Sequence, residues 1–242
     1  MYNTFIFDLD GTLLDTLQDL ANSVNHALRV HHMPEHSTDD IRRFVGNGVR
    51  KLMERAIPDG AQNPDFEAVF ADFRQHYMHH SLDTTRPYDG IPEVIHELKQ
   101  CGCHLAVVSN KMMAATQQLV AHFFPEIDVA IGEHEAAGIR KKPAPDTVME
   151  ALRQLGVSAD TSSLTSHTSP LTSVVYVGDS DVDIETARNS NIPCISVLWG
   201  FRDRDFLLAH GATTFITSPS ELLSVTPVTP VTPETPVTPV TP

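Results

Sequence analysis

The chain has 242 residues, 41% of them hydrophobic, enough for one large or two modest domains with a packed core. Its formal charge of −14 argues against nucleic acid or an anionic membrane as partner, because phosphate backbones are held by Lys/Arg clusters that this sequence does not show. No apolar run approaches the roughly 20 residues of a membrane span, no basic-then-apolar leader opens the chain, and Cys101, Cys103 and Cys194 are too few for a disulfide framework or a zinc site, so the cytosol is the expected setting.

The first expected element is a strand over residues 4–9, an apolar run that leads into two acids, Asp8 and Asp10, with Gly11 and Thr12 behind them. Taken alone, two acids and a glycine could be a solvated strand end closing in an Asx-turn. The rest of the chain changes that balance. Over 16–83 no strand is expected, and four helical patterns, roughly 16–30, 38–45, 48–57 and 64–80, predict an all-helical cap placed over the carboxyl end of the first strand. Asp15 and Thr16 read as a helix N-cap and hinge where that insert begins. Gly46-Asn47-Gly48 with Arg50 is an interhelical turn or a loop dipping into the crevice, where Asn47 or Arg50 would read a substrate carboxylate. The histidine pairs at 31–32 and 79–80 have no matching acids and read as surface residues.

From residue 84 strands and helices alternate. Strands are expected at 104–109, 128–131, 174–177 and 194–197, and helices at 92–100, 112–123, 144–155 and 182–191. The fold class is therefore α/β: a doubly wound parallel sheet, a Rossmann-like core built from 1–15 and 84–224, with the helical cap inserted. Residues 158–173 are a Ser/Thr-rich loop, expected to be mobile, and 225–242 form a Thr-Pro tail expected to be extended or disordered.

Polar groups sit at the ends of the expected strands. Ser109 and Asn110 follow the second, suited to an anionic oxygen at a helix start. Lys142 is aimed by the prolines at 143 and 145. Asp179 and Asp183 follow the third long strand, four residues apart, so a helix turn returns both to one side. Lys111 and Lys141 read as supporting charge, and Trp199-Gly200 as packing and a turn at the rim. If the first strand is central, these sites converge on one crevice. Carboxylates so gathered repel by about 4 kcal/mol per pair at about 4 Å and an effective dielectric of about 20. They need a cation, and oxygen-only ligands favour Mg²⁺.

In that order and at those strand ends, Asp8-x-Asp10-Gly11-Thr12, Ser109-Asn110, Lys142-Pro143 and Gly178-Asp179-Ser180-x-x-Asp183 resemble the haloacid dehalogenase superfamily of phosphohydrolases, over residues 1 to about 217. The inserted helices resemble its capped subgroup, and FVGNGVRKL, KKPAPD and VGDSDVDIETA look most like phosphoglycolate phosphatases. The resemblance implies that Asp8 is the nucleophile and Asp10 the general acid/base, which also lends a backbone carbonyl to the metal. It implies that Gly11, Thr12, Ser109, the Asn110 N–H and Lys142 meet the phosphoryl group. Asp8, Asp10 and Asp179 would hold Mg²⁺, with Asp183 orienting the metal's surroundings, and the substrate would be a small phosphate ester. Two other readings stay open: a phosphosugar mutase on the same scaffold, and a non-enzymatic phospho-acceptor module.

Overall fold

The computed structural model describes residues 1–157 and 173–226, so the loop expected at 158–173 and the tail expected from 225 lie outside them except for the last residue of the one and the first two of the other. Val225 closes a short helical turn and its carbonyl accepts from the Tyr2 N–H at 2.8 Å, and Thr226 is buried, so the extended tail does not begin there. In chain order the α/β part supplies β1 (Thr4–Phe7), α5 (Ile91–Gln100), β4 (His104–Met112), α6 (Met113–Phe123), β5 (Val129–Glu133), α7 (Asp146–Gln154), β6 (Val174–Gly178), α8 (Asp181–Asn189), β7 (Cys194–Val197), α9 (Arg204–Ala209) and β8 (Phe215–Ile216). The sheet order is β5-β4-β1-β6-β7-β8, and every neighbouring pair is parallel. β1 lies inside the sheet, the condition on which the convergence of the strand-end groups depends. Its carboxyl end therefore opens into the crevice where the strand order reverses.

These strands read as unbroken apolar runs because helices cover both faces. Alternation along each strand sends Phe5, Phe7, Leu105, Val107, Val175 and Val177 to one side with α5 and α6. It sends Ile6, Ala106, Val108, Val174 and Tyr176 to the other with α7 and α8.

Between β1 and α5 lie α1 (Leu17–Val30), α2 (Thr38–Phe44), α3 (Val49–Ala56) and α4 (Phe66–His80). They bury a core of their own around Leu20, Val24, Ile41, Leu52, Phe73 and Tyr77. Ala115 of α6 joins that core, with Met112 and Phe201 packed against it, so the insert is seated on the sheet's carboxyl edge. The histidines read as lacking acids have them: His31 bonds Asp72 at 2.7 Å and His80 bonds Asp83 at 2.8 Å.

The chain enters and leaves the insert along one ribbon, β2 (Leu14–Asp15) paired antiparallel with β3 (Arg86–Pro87). Beside it the Asp19 carboxylate, 1% exposed, accepts from the backbone N–H and the hydroxyl of both Thr84 and Thr85. Burial works against the ionised form, but the four donors outweigh it and hold the Asp19 pKa below the usual carboxylate range. A lowered native pKa contributes stability above the unfolded value near 3.9, and that stability is lost as pH falls through the native value. Asp19→Asn should therefore cost about 2 kcal/mol in urea unfolding at pH 7. The difference from wild type should shrink when the measurement is repeated at pH 3.

Four short elements were not expected. β2, β3 and β8 are two residues long and α9 six, too short for periodicity to register. β4 also stays extended to Met112, past the expected end at Ser109. Pairing of Met112 with Glu133, after a shift in register from Val108, holds it so.

Candidate active site

The carboxyl ends of β1, β4 and β6 and the segment around Lys142 meet in one cavity of about 40 Å³. Asp8, Asp10, Ser109, Asn110, Lys111, Lys142, Asp179 and Ser180 line its sheet side, and Val45, Gly46, Gly48, Val49 and Leu52 of the insert roof it. Gly48 lies so close that a Cβ there would stand 3.3 Å from the Asn110 carbonyl oxygen, in a backbone with φ of 85°. Glycine is what lets the roof reach the strand end.

Lys142 sits at the centre of the charge network, 4% exposed. Its Nζ is 2.8 Å from Asp8 Oδ1, 2.8 Å from Asp183 Oδ1 and 3.0 Å from the Tyr176 hydroxyl. Asn110 clamps the Lys142 backbone from both sides, donating to its carbonyl at 3.0 Å and accepting from its N–H at 2.8 Å. Burial pulls the ammonium pKa down, but Asp183 and Asp8 outweigh it and hold it above the ordinary lysine value. For Asp8, burial first and Asp183 second push the pKa well above the carboxylate range, against the pull of Lys142.

Asp8, Asp179 and Asp183 each offer a carboxylate oxygen, and these oxygens lie within 4.8 Å of one another. Burial and then Asp183 push the Asp179 pKa up to about 7, although the Phe201 N–H donates to Asp179 Oδ2 at 2.7 Å. Thr12 donates to Asp179 Oδ1 at 3.3 Å. Gly11, with φ of 86°, passes so near that a Cβ there would overlap the Asp179 carboxylate. Asp183 is different. As the third helical residue of α8 it closes a capping box with Ser180, and its Oδ2 accepts from the N–H groups of Asp179 and Ser180 and from the Ser180 hydroxyl. With Lys142 and Tyr176 on Oδ1, its lone pairs are committed.

On the opposite wall Asp10 Oδ1 is 2.8 Å from Lys111 Nζ and accepts from the Thr16 hydroxyl at 2.6 Å. Lys111 is 3% exposed; burial lowers its pKa, but Asp10 and Tyr77 outweigh that and raise it. Arg202, after β7, donates to the carbonyls of Arg42 at 2.8 Å and Val45 at 2.6 Å, clasping the roof to the sheet side.

Residues 5–197 match the family described as haloacid dehalogenase-like hydrolase. The chain belongs to that family. This hydrolase is 33% identical over 210 residues to a phosphoglycolate phosphatase of Mesorhizobium japonicum, with 82% of this chain and 84% of that protein covered. It is 30% identical over 198 residues to a phosphoglycolate phosphatase of Aquifex aeolicus, covering 81% and 84%. An N-acetylmuramic acid 6-phosphate phosphatase of Pseudomonas aeruginosa is 28% identical over 230 residues, covering 91% and 92%. Among solved structures, a candidate phosphoglycolate phosphatase of Lactobacillus delbrueckii subsp. bulgaricus has a TM-score of 0.83 at 36% identity, covering 94% of this chain and 99% of that one.

In this hydrolase the folded chain brings Asp8, Asp10, Ser109, Asn110, Lys142 and Asp179 to one cavity, with Gly11, Thr12 and Asp183 packed behind them. It does not bring Asn47 and Arg50 there. Arg50 is exposed, held by Glu67 at 2.6 Å and by the ring of Phe66, and Asn47 accepts from Arg55 at 2.6 Å. The cation that reaches the cavity from the rim is Arg202, and sequence reading passed over it. It also passed over the bridging hydroxyl of Tyr176, whose signal was strand alternation placing a tyrosine among aliphatic neighbours.

Proposed function

We propose that this chain, a phosphatase by family and relatives, hydrolyses a small carboxylate-bearing phosphate monoester, with 2-phosphoglycolate favoured, through an aspartyl-phosphate on Asp8 and with Mg²⁺ bound. The observation that carries this reading is the Lys142 ammonium bridging Asp8 and Asp183 at 2.8 Å each, with Asp179 in the same cluster.

The donors fit a metal. Three buried carboxylates against one ammonium leave two negative charges, matched by one divalent cation, and like pairs no more than 4.8 Å apart repel by about 3 kcal/mol or more at an effective dielectric of about 20. Asp8, Asp179 and the Asp10 carbonyl would hold the ion, because the oxygens of Asp183 are already occupied by donors. All are hard oxygen donors, the set that suits Mg²⁺. When bound, the ion offsets the negative charge of nucleophile and phosphoryl oxygens.

The chain's own groups do the rest. Asp8 attacks phosphorus, and the bond to the ester oxygen breaks with its electron pair leaving on that oxygen. Asp10 gives it a proton, then takes one from the water that attacks the phosphoaspartate and restores Asp8. Ser109 and the Asn110 N–H bind phosphoryl oxygens, Lys142 balances their charge, and the Gly11-Thr12 turn shapes the phosphate seat.

The small roofed cavity favours a small ester. The relatives are named for phosphoglycolate and N-acetylmuramic acid 6-phosphate, and both molecules carry a carboxylate as well as a phosphate. Arg202 is the charge that meets such a group. Arg202→Ala should raise KM for 2-phosphoglycolate about tenfold, the loss of one charge-assisted contact, with kcat changed much less; steady-state kinetics on the two proteins checks this.

Phosphate release from a panel of small phosphate esters tests the whole reading. Activity should disappear in EDTA, return with Mg²⁺ and be highest on 2-phosphoglycolate. Unchanged turnover in chelator would refute the metal, and an isomerised product without free phosphate would favour a mutase.

A further inference from the structure

Lys111 has a place in the cavity and no part in the hydrolytic steps assigned to Asp8, Asp10 and Lys142. It stands on the extended end of β4, and its Nζ meets two things. One is Asp10 Oδ1 at 2.8 Å. The other is the face of the Tyr77 ring, its centre 4.7 Å away, which α4 delivers from the insert. Thr16, at the first crossing into the insert, donates to the same Asp10 oxygen at 2.6 Å. Among the described residues no hydrogen bond is formed to the other oxygen, Oδ2.

An oxygen that already accepts from an ammonium and a hydroxyl has no lone pair well placed for a proton. The proton that Asp10 transfers must then travel on Oδ2. We propose that Lys111 is the positioning residue for the acid–base group: it pins Asp10 by Oδ1, leaves Oδ2 to face the ester oxygen, and is itself held in place by the Tyr77 ring. This rests on the reading of Asp10 as the acid.

Protons and electron pairs balance in both steps. As the phosphorus–oxygen bond of the ester breaks, its electron pair stays on the alkoxide oxygen, which takes the proton from Oδ2. The Asp10 carboxylate left behind keeps its ammonium partner. When water attacks the phosphoaspartate, its proton moves to Oδ2, Asp8 leaves as a carboxylate, and the products are alcohol and phosphate. The alternative of Lys111 as an anchor for the substrate carboxylate would require it to abandon Asp10 inside a roofed cavity, leaving a buried carboxylate without its cation.

The test compares the full-length wild type with Lys111→Met, Lys111→Arg and Asp10→Asn on 2-phosphoglycolate, ethyl phosphate and 4-nitrophenyl phosphate. The ratio kcat/KM reports the steps through departure of the leaving group. Alkoxides need a proton to leave, and 4-nitrophenolate does not. Lys111→Met should lower kcat/KM for both alkyl esters about 100-fold and for the aryl ester less than about 5-fold, with Lys111→Arg recovering part of the alkyl loss. An equal fall on all three esters with a lower thermal midpoint would make Lys111 only a structural partner and overturn the proposal. A fall confined to 2-phosphoglycolate would make it a carboxylate anchor and overturn it as well. Asp10→Asn separates the two levels, since it should show the same alkyl-selective loss. If it does not, the reading of Asp10 fails; if it does and Lys111→Met does not, the role of Lys111 alone falls.

Discussion

Asp8→Asn should abolish turnover, by on the order of 10⁵-fold in kcat, while leaving the protein at least as stable as the wild type. Two physical effects point in opposite directions here. The amide cannot form the bond to phosphorus, so the chemical step is lost. Yet burial and Asp183 already make the ionised carboxylate costly at this position, as its raised pKa states. A group whose native pKa lies above its unfolded value destabilises the native state at neutral pH, and replacing it by a neutral amide removes that cost. In chelator, thermal or urea unfolding should show the variant no less stable than the wild type. Phosphate release above the background of a mock purification would sink the nucleophile assignment.

Lys142→Ala should fail in both respects. The ammonium is buried and is the partner of Asp8 and Asp183 at 2.8 Å. Its removal leaves two carboxylates facing each other beside Asp179, and breaking a buried pair from one side costs about 3–5 kcal/mol. Activity should fall with it, because nothing then offsets the approach of a phosphate dianion to Asp8. Urea unfolding measures the first effect and phosphate release the second. Added Mg²⁺ should return part of the stability by mass action, but not the turnover. Wild-type stability in the variant would show that the network tolerates three adjacent carboxylates, contrary to the charge balance on which the metal site rests.

Much of this arrangement is legible in the residues themselves. Asp8 follows a run whose four strand residues are all buried, and a strand covered on both faces by helices can place polar groups only at its ends. Reading Ser109, Lys142 and Asp179 at comparable ends was enough to bring them to one crevice, because parallel strands joined by right-handed crossovers point their carboxyl ends the same way. What was not legible depends on which way a side chain turns. The two glycines beside Arg50 left open either an interhelical turn or a loop dipping into the crevice, and what decides against Arg50 reaching the cavity is Glu67 and Phe66, which draw it outward. Lys111 was read as flanking charge because nothing in a Ser-Asn-Lys-Met run says that the strand continues past Ser109 and carries the lysine inside. Arg202 was passed over since its partners are backbone carbonyls of Arg42 and Val45, which carry no side-chain signature.

The ribbon of Leu14–Asp15 and Arg86–Pro87, fastened by Asp19 to Thr84 and Thr85, sets the two severed ends of the α/β part side by side. A short turn could therefore bridge residues 15 and 86 in place of the whole insert, and a foreign helical module with neighbouring termini could be grafted onto the same stump. Selectivity would then be exchangeable as a cassette, while Asp8 and Asp179 just past the ends of β1 and β6, Asp183 on α8 and Lys142 in the turn before α7 all stay with the α/β part.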